Sequence, residues 1–190
     1  MDAAIIKREL EIFIRQNKRS FASMMVRETA LLEMGALVAA SEHYRIAGYS
    51  VDLENDKEGV FSVKLSSRGN PYNFSWFTCT RGDTAIEIHS NLAVGGAHGD
   101  EAVYVVDVAV AKPNAVPRKR GKDPWICLSN IDLVSFVEVK KLVVYPMLLA
   151  QFVGIVHEVK PKALQGSALG FKKYGQFHPT LMSLGYLNLT

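Results

Sequence analysis

Two apolar runs of strand length carry charge in their interiors, and this constrains the fold more than any other feature of the chain. Val103 to Ala111 contains Asp107, and Leu133 to Val139 contains Glu138 with Lys140 directly after it. Side chains on a strand alternate between faces, so Glu138 and Lys140 project the same way, roughly 6 to 7 Å apart along the strand. By the same alternation Asp107 shares a face with Val103, Val105 and Ala109. A charge on a buried strand costs on the order of several kcal/mol unless it is paired or holds a metal. If the two strands are neighbours in one sheet, an Asp, a Glu and a Lys meet at one spot, which is the pattern expected of a site.

The 190 residues are 48% hydrophobic and 22% charged, enough for one substantial core and one domain spanning 1–190. A net charge of +3 is too small to demand a polyanionic partner, but it is unevenly spread. Lys112, Arg118, Lys119, Arg120 and Lys122 lie close together against the single acid Asp123, forming a basic loop over 112–124. The lone cysteines Cys79 and Cys127 sit in apolar surroundings without metal-type spacing, as reduced thiols of a cytoplasmic protein do. Met1 to Lys18 alternates charge with Ile and Leu, unlike a signal peptide, and no run has the length to cross a membrane.

Ile5, Ile6, Leu10 and Phe13 recur at helical spacing and predict a helix over about 3–17. A longer helix is expected from about Phe21 to Ala47, ending at Gly48. At about 100° per residue, Ala22, Val26, Ala30, Leu37, Ala40 and Tyr44 share one face, with Glu33 at its centre and Glu28 near its edge. Strands follow at Tyr49–Leu53, Val60–Ser66, Phe74–Thr80 and Thr84–Val94, then the Asp107 strand, the basic loop and the Glu138 strand. Pro146 opens a helix running through Met147 to Val159, and one short strand falls between Ser167 and Leu189. This order implies an α/β sandwich, a mixed central β-sheet flanked by helices.

These residues resemble the PD-(D/E)XK superfamily of restriction-endonuclease-like nucleases. The likeness covers about residues 20 to 160 and rests on Asp107 in a hydrophobic strand, Glu138-Val139-Lys140 on the next, a preceding helix with a buried acid and a following amphipathic helix. Val106 stands where the motif name has Pro, and the basic loop lengthens the gap between the two motif strands. The resemblance implies a restriction-endonuclease-like fold and a metal-dependent endonuclease acting on nucleic acid, most readily DNA. It makes Asp107 and Glu138 ligands of Mg2+, with Mn2+ a possible substitute, and Lys140 the catalytic lysine. Hard oxygen ligands suit Mg2+, the bound ion activates water and neutralises developing charge, and a nearby lysine helps orient the nucleophile. Glu33 is the helix acid that would complete the set, with an ion pair to Arg27 or Arg45 as the structural alternative. A homodimer or a partner subunit would supply a second catalytic unit for double strands.

Other candidates are less specific. Glu87 and His89 share a face of their strand and could serve as a ligand or a phosphate contact, or could simply form its wet side. His98 lies in a Gly-rich loop ahead of the Asp107 strand. Gln151 is similar to a glutamine that follows the lysine in the RecB-like branch, though Ile155 stands where that branch has Tyr; a buried, hydrogen-bonded amide is the favoured reading. Arg118, Lys119 and Arg120 could track phosphates or form a solvated excursion. Two rival functions follow: a non-catalytic nucleic-acid-binding or assembly subunit that keeps the fold, and a chance motif whose charges only pair with one another.

Overall fold

The computed structural model describes residues 3–16, 28–55, 61–99, 102–118, 126–164 and 177–184. Helix α1 runs over Ala3–Gln16 and helix α2 over Glu28–Ile46. Ala30, Met34, Ala36, Leu37, Ala40 and Tyr44 of α2 are buried, small or flexible residues that let the helix lie close on a sheet. The helix stops where expected: Gly48 takes φ 85°, its N–H bonds to the Arg45 carbonyl, and the Tyr49 N–H reaches back to the Tyr44 carbonyl. A side chain at that left-handed position would be strained, so glycine closes the helix here.

The sheet holds strands β1 (Ser50–Glu54), β2 (Trp76–Arg81), β3 (Thr84–Gly95), β4 (Val103–Ala111), β5 (Cys127–Leu128), β6 (Leu133–Lys140) and β7 (Thr180–Ser183). Its order is β1-β2-β3-β4-β6-β7, with β5 pairing in parallel beside the far end of β3. Neighbours from β1 to β6 run antiparallel, whereas β7 lies parallel to β6. A parallel neighbour needs a crossover, and helix α3 (Pro146–Val159), opened by its proline, lies within that connection. The result is an α/β fold with a curled mixed sheet between helices. No helix among the described residues is long and apolar enough to cross a membrane.

Two cores fill the faces. On the α2 side Leu37, Ala40 and Tyr44 pack with Phe77, Ile86, Ile88, Val108, Val110, Val137 and Val139. On the α3 side Val156 and Val159 pack with Leu92, Val94, Val106, Ala109 and Phe136. The expected strand at 60–66 does not form over 61–66, although Phe61, Val63 and Lys64 are buried. Its backbone bonds go partly to side chains instead: the Ser75 hydroxyl accepts the Ser62 N–H and the Ser90 hydroxyl accepts that of Lys64.

One residue disturbs the alternation of the central strands. Asn91 has φ 47° inside β3. Ile86 and Ile88 before it face the α2-side core, while Leu92 and Val94 after it belong to the α3-side core. Strand β4 changes phase at the same level, Val108 and Val110 on one side and Val106 on the other. The strict face-sharing expected of Asp107 with Val105 and Ala109 therefore breaks at Asp107 itself. Pairing of Ser90 with Val108 and of Leu92 with Val106 leaves Asn91 opposite Asp107. Asn tolerates this backbone and β-branched residues do not. Asn91→Val should cost about 2–4 kcal/mol in urea unfolding, and Asn91→Gly, which keeps the backbone but loses the side-chain bonds, about half of that.

Candidate functional site

The site forms where β4 and β6 part. Their ladder runs from Ala111 opposite Leu133, past an irregularity, to Val108 opposite Val137. One step further Asp107 would face Glu138. There the Asp107 carboxylate accepts the Val139 N–H at 2.7 Å. A side chain thus satisfies a backbone donor of the neighbouring strand, and both carboxylates are held at the opening of the sheet.

Glu138 is 6% exposed, and its Oε1 accepts a hydrogen bond from the Lys140 ammonium at 2.6 Å. Its Oε2 is buried with no hydrogen-bond partner among the described residues. Glu33 reaches the same place from α2, where its Oε2 accepts from the Asn91 amide at 2.8 Å. Burial pushes the Glu33, Asp107 and Glu138 carboxyls above the ordinary range, and Asp107 raises the other two further. Burial disfavours the Lys140 ammonium, yet its hydrogen bond to Glu138 and the charges of Glu138, Asp107 and Glu33 together hold its pKa up. The four residues singled out from the sequence therefore meet, three carboxyl groups and one ammonium. Arg45, one of the two structural partners considered for Glu33, is paired with Glu42 at 2.6 Å, and the other, Arg27, lies outside the described residues.

This donor set fits a hard divalent cation. An orphaned carboxylate oxygen and further carboxyl groups within electrostatic reach, with one lysine among them, are what Mg2+ takes. The carboxylates are not drawn into a tight cage; the described His, Cys, Asp or Glu groups whose ligand atoms lie within 4.8 Å of one another are His98, His157 and Glu158 instead. Mg2+ keeps several of its waters and needs few direct ligands, so an open set of acids suits it.

Two residues at the site escaped the sequence reading. Lys64 is 2% exposed and donates to the Ser66 and Asn91 carbonyls, the latter at 2.5 Å. Burial lowers its pKa to about 8. Asn91 joins this lysine to the site, donating to the Lys64 carbonyl as well as to Glu33. The signal was present in the polar run His89-Ser90-Asn91, which breaks the alternation between Ile88 and Leu92.

Glu87 and His89 go elsewhere. They are buried rather than on a wet face, and they form a network of their own. Glu87 Oε2 bonds to His89 Nε2 at 3.0 Å and to the Tyr72 hydroxyl at 3.2 Å, and Oε1 accepts the Asn114 N–H at 3.0 Å. The His89 ring stacks on Trp76, with Tyr72 edge-on. Burial pushes the Glu87 carboxyl up, but these bonds outweigh it and hold the carboxyl below its ordinary range. Arg118 of the basic loop lies over the Tyr72 ring at 4.3 Å, and Lys112 pairs with Asp132 at 2.9 Å. Lys119 and Arg120 lie outside the described residues. Gln151 is exposed, against the expectation of a buried amide, because the helix turns it toward a groove of about 760 Å³ that Glu138, Lys140 and α3 also line.

The two clusters should respond oppositely to substitution. Asp107→Asn keeps an acceptor for the Val139 N–H and removes repulsion, so it should raise stability without metal by about 1–2 kcal/mol. Glu87→Ala strands the His89 ring nitrogen and the Asn114 N–H, while the Tyr72 hydroxyl keeps the Val116 carbonyl, and should cost roughly 2–3 kcal/mol, both read by urea unfolding. Lys64 has a folded pKa of about 8 against 10.5 when unfolded. Its burial penalty is therefore in full force below pH 8, and stability should climb between pH 8 and 10.5 by on the order of 3 kcal/mol. That climb should vanish in Lys64→Met. No family model matches the chain, and neither a curated protein nor a solved structure matches it significantly, so the chemistry of the site is read from its own residues.

Proposed function

We propose that the chain is a divalent-cation-dependent nuclease of the PD-(D/E)XK kind, hydrolysing phosphodiester bonds, most readily in DNA. The observation that carries this reading is the buried Glu138 Oε2, without a hydrogen-bond partner among the described residues, beside Asp107, with Lys140 held against the other oxygen. The order of elements supports it too, with an antiparallel β4–β6 pair, a helix after β6 and a parallel β7.

Asp107, Glu138 and Glu33 would hold Mg2+ or Mn2+. When bound, the ion supplies a more acidic water and neutralises charge on the phosphate. Lys140 places positive charge at the mouth of the site, where it can meet a phosphate oxygen or orient the attacking water. Asn91 positions Glu33, and the Val139 N–H positions Asp107. The groove beyond Glu138 and Lys140, walled by α3, gives a strand of nucleic acid a path to the acids.

The test is cleavage of supercoiled plasmid and labelled single strands with Mg2+, Mn2+ or EDTA. Metal-dependent cutting is expected from the wild type, with a loss of at least about a hundredfold in Asp107→Asn and Lys140→Ala. Full activity in Asp107→Asn would end the proposal. Salt-dependent binding without cutting under any metal would favour a nucleic-acid-binding subunit that keeps the fold.

A further inference from the structure

A second constellation borders the same groove, which His157 and Glu158 help to line. His98 sits on the hairpin between β3 and β4, and His157 and Glu158 close the last turn of α3. The imidazole rings are stacked, with centroids 4.5 Å apart and planes at 9°. Both present Nδ1 to one carboxylate: His98 is 3.6 Å from Glu158 Oε2 and His157 is 3.7 Å from Oε1. These distances are too long for good hydrogen bonds. They lie close to the roughly 3.3 Å edge of a tetrahedron built on zinc–ligand bonds of about 2.0–2.1 Å.

We propose that His98, His157 and Glu158 bind a first-row transition-metal ion, zinc by ligand preference, separately from the carboxylate site. Two imidazole nitrogens and one carboxylate are a borderline donor set that selects Zn2+ over Mg2+. Three protein ligands leave a position for water, in keeping with side chains exposed by 47% at His98, 58% at His157 and 29% at Glu158.

The backbone already holds the ligands together. The Ala97 N–H donates to the Glu158 carbonyl at 2.7 Å, tying the hairpin to the helix end one residue from His98. The Gly96 N–H bonds to Ala102 at 2.7 Å, and the Gly96 carbonyl accepts from Asn130 at 2.8 Å. A Cβ at Gly96 would stand 3.1 Å from that of Ala102 and 3.3 Å from the Tyr104 ring, so the hairpin needs glycine to approach this closely. The ligand atoms already lie within 4.8 Å of one another, and closing the site asks the two nearly parallel rings to tilt until both ring nitrogens face one point, a rotation open to side chains as exposed as these. The bound ion clamps the hairpin to α3, whose His157 and Glu158 line the groove together with Glu138 and Lys140.

The proposal does not depend on nuclease activity. It is tested by calorimetric titration of the full chain with zinc chloride, magnesium being present in excess to occupy hard oxygen sites. One tight equivalent is expected for the wild type and for Asp107→Asn, with affinity at least about tenfold weaker in His98→Ala and in His157→Ala. A matching rise in Tm with zinc is expected only where binding persists. Circular dichroism on the two histidine variants checks that these exposed substitutions leave the fold intact. Absence of tight zinc binding by the wild type, equal binding after both histidines are removed, or loss of binding in Asp107→Asn alone would each overturn it.

Discussion

Everything around the site follows from the difficulty of keeping carboxylates ionised where a sheet opens. Asp107 and Glu138 stand at the level where β4 and β6 stop pairing, and both are pushed toward neutrality by burial. Two donors act against that: the Val139 N–H on Asp107 and the Lys140 ammonium on Glu138. The donors are too few, since Glu138 Oε2 has none among the described residues and Glu33 adds a third acid. In a low-dielectric setting an unmet charge is costly. The sheet on one side and α2 on the other hold this unfavourable cluster in place, because separating the acids would require dismantling both cores.

The contrast with Glu87 shows that burial alone does not define a site. Both acid groups lie beneath the surface of the same sheet, and β3 contributes to both through Glu87 and Asn91. Glu87 receives bonds at both oxygens and its pKa falls; the site acids receive fewer and theirs rise. A satisfied carboxylate is a structural tie, here joining β3 to Tyr72 and to the loop after β4. An unsatisfied one is costly to keep charged, and perturbed groups of this kind cluster at functional sites.

The sequence was legible where one physical signal dominated. Alternation and length located β4 and β6, and helical spacing placed Glu33 on the buried side of α2, because the sheet demands one apolar face from each element. Legibility failed where side chains replaced backbone partners. Val60 to Ser66 reads as a strand, yet over the described residues 61–66 its N–H groups go in part to Ser75 and Ser90, and no pattern of hydropathy encodes such bonds. Lys64 within it is sealed against two carbonyls, a burial that its residue type does not announce. Glu87 and His89 looked solvent-facing because alternation says which face a residue takes but not what covers it. The cover is Tyr72 and Trp76, brought from outside the strand.

The position of Asn91 links these failures to the site. A left-handed residue in a central strand is an expense that a sheet accepts only for a local reason. Here the kink turns the Asn91 amide toward Glu33 while its carbonyl receives the buried Lys64 ammonium. The same rung carries Asp107 on the next strand, so the phase change in β3 and the parting of β4 from β6 coincide. An alternative in which the acids merely pair with Lys140 leaves this coincidence unexplained, since one ammonium against Glu138 needs neither the kink nor Glu33. The proposed cation, held among several oxygens, would use both: the kink brings the helix acid to the sheet, and the parting of the strands frees the two sheet acids from the ladder.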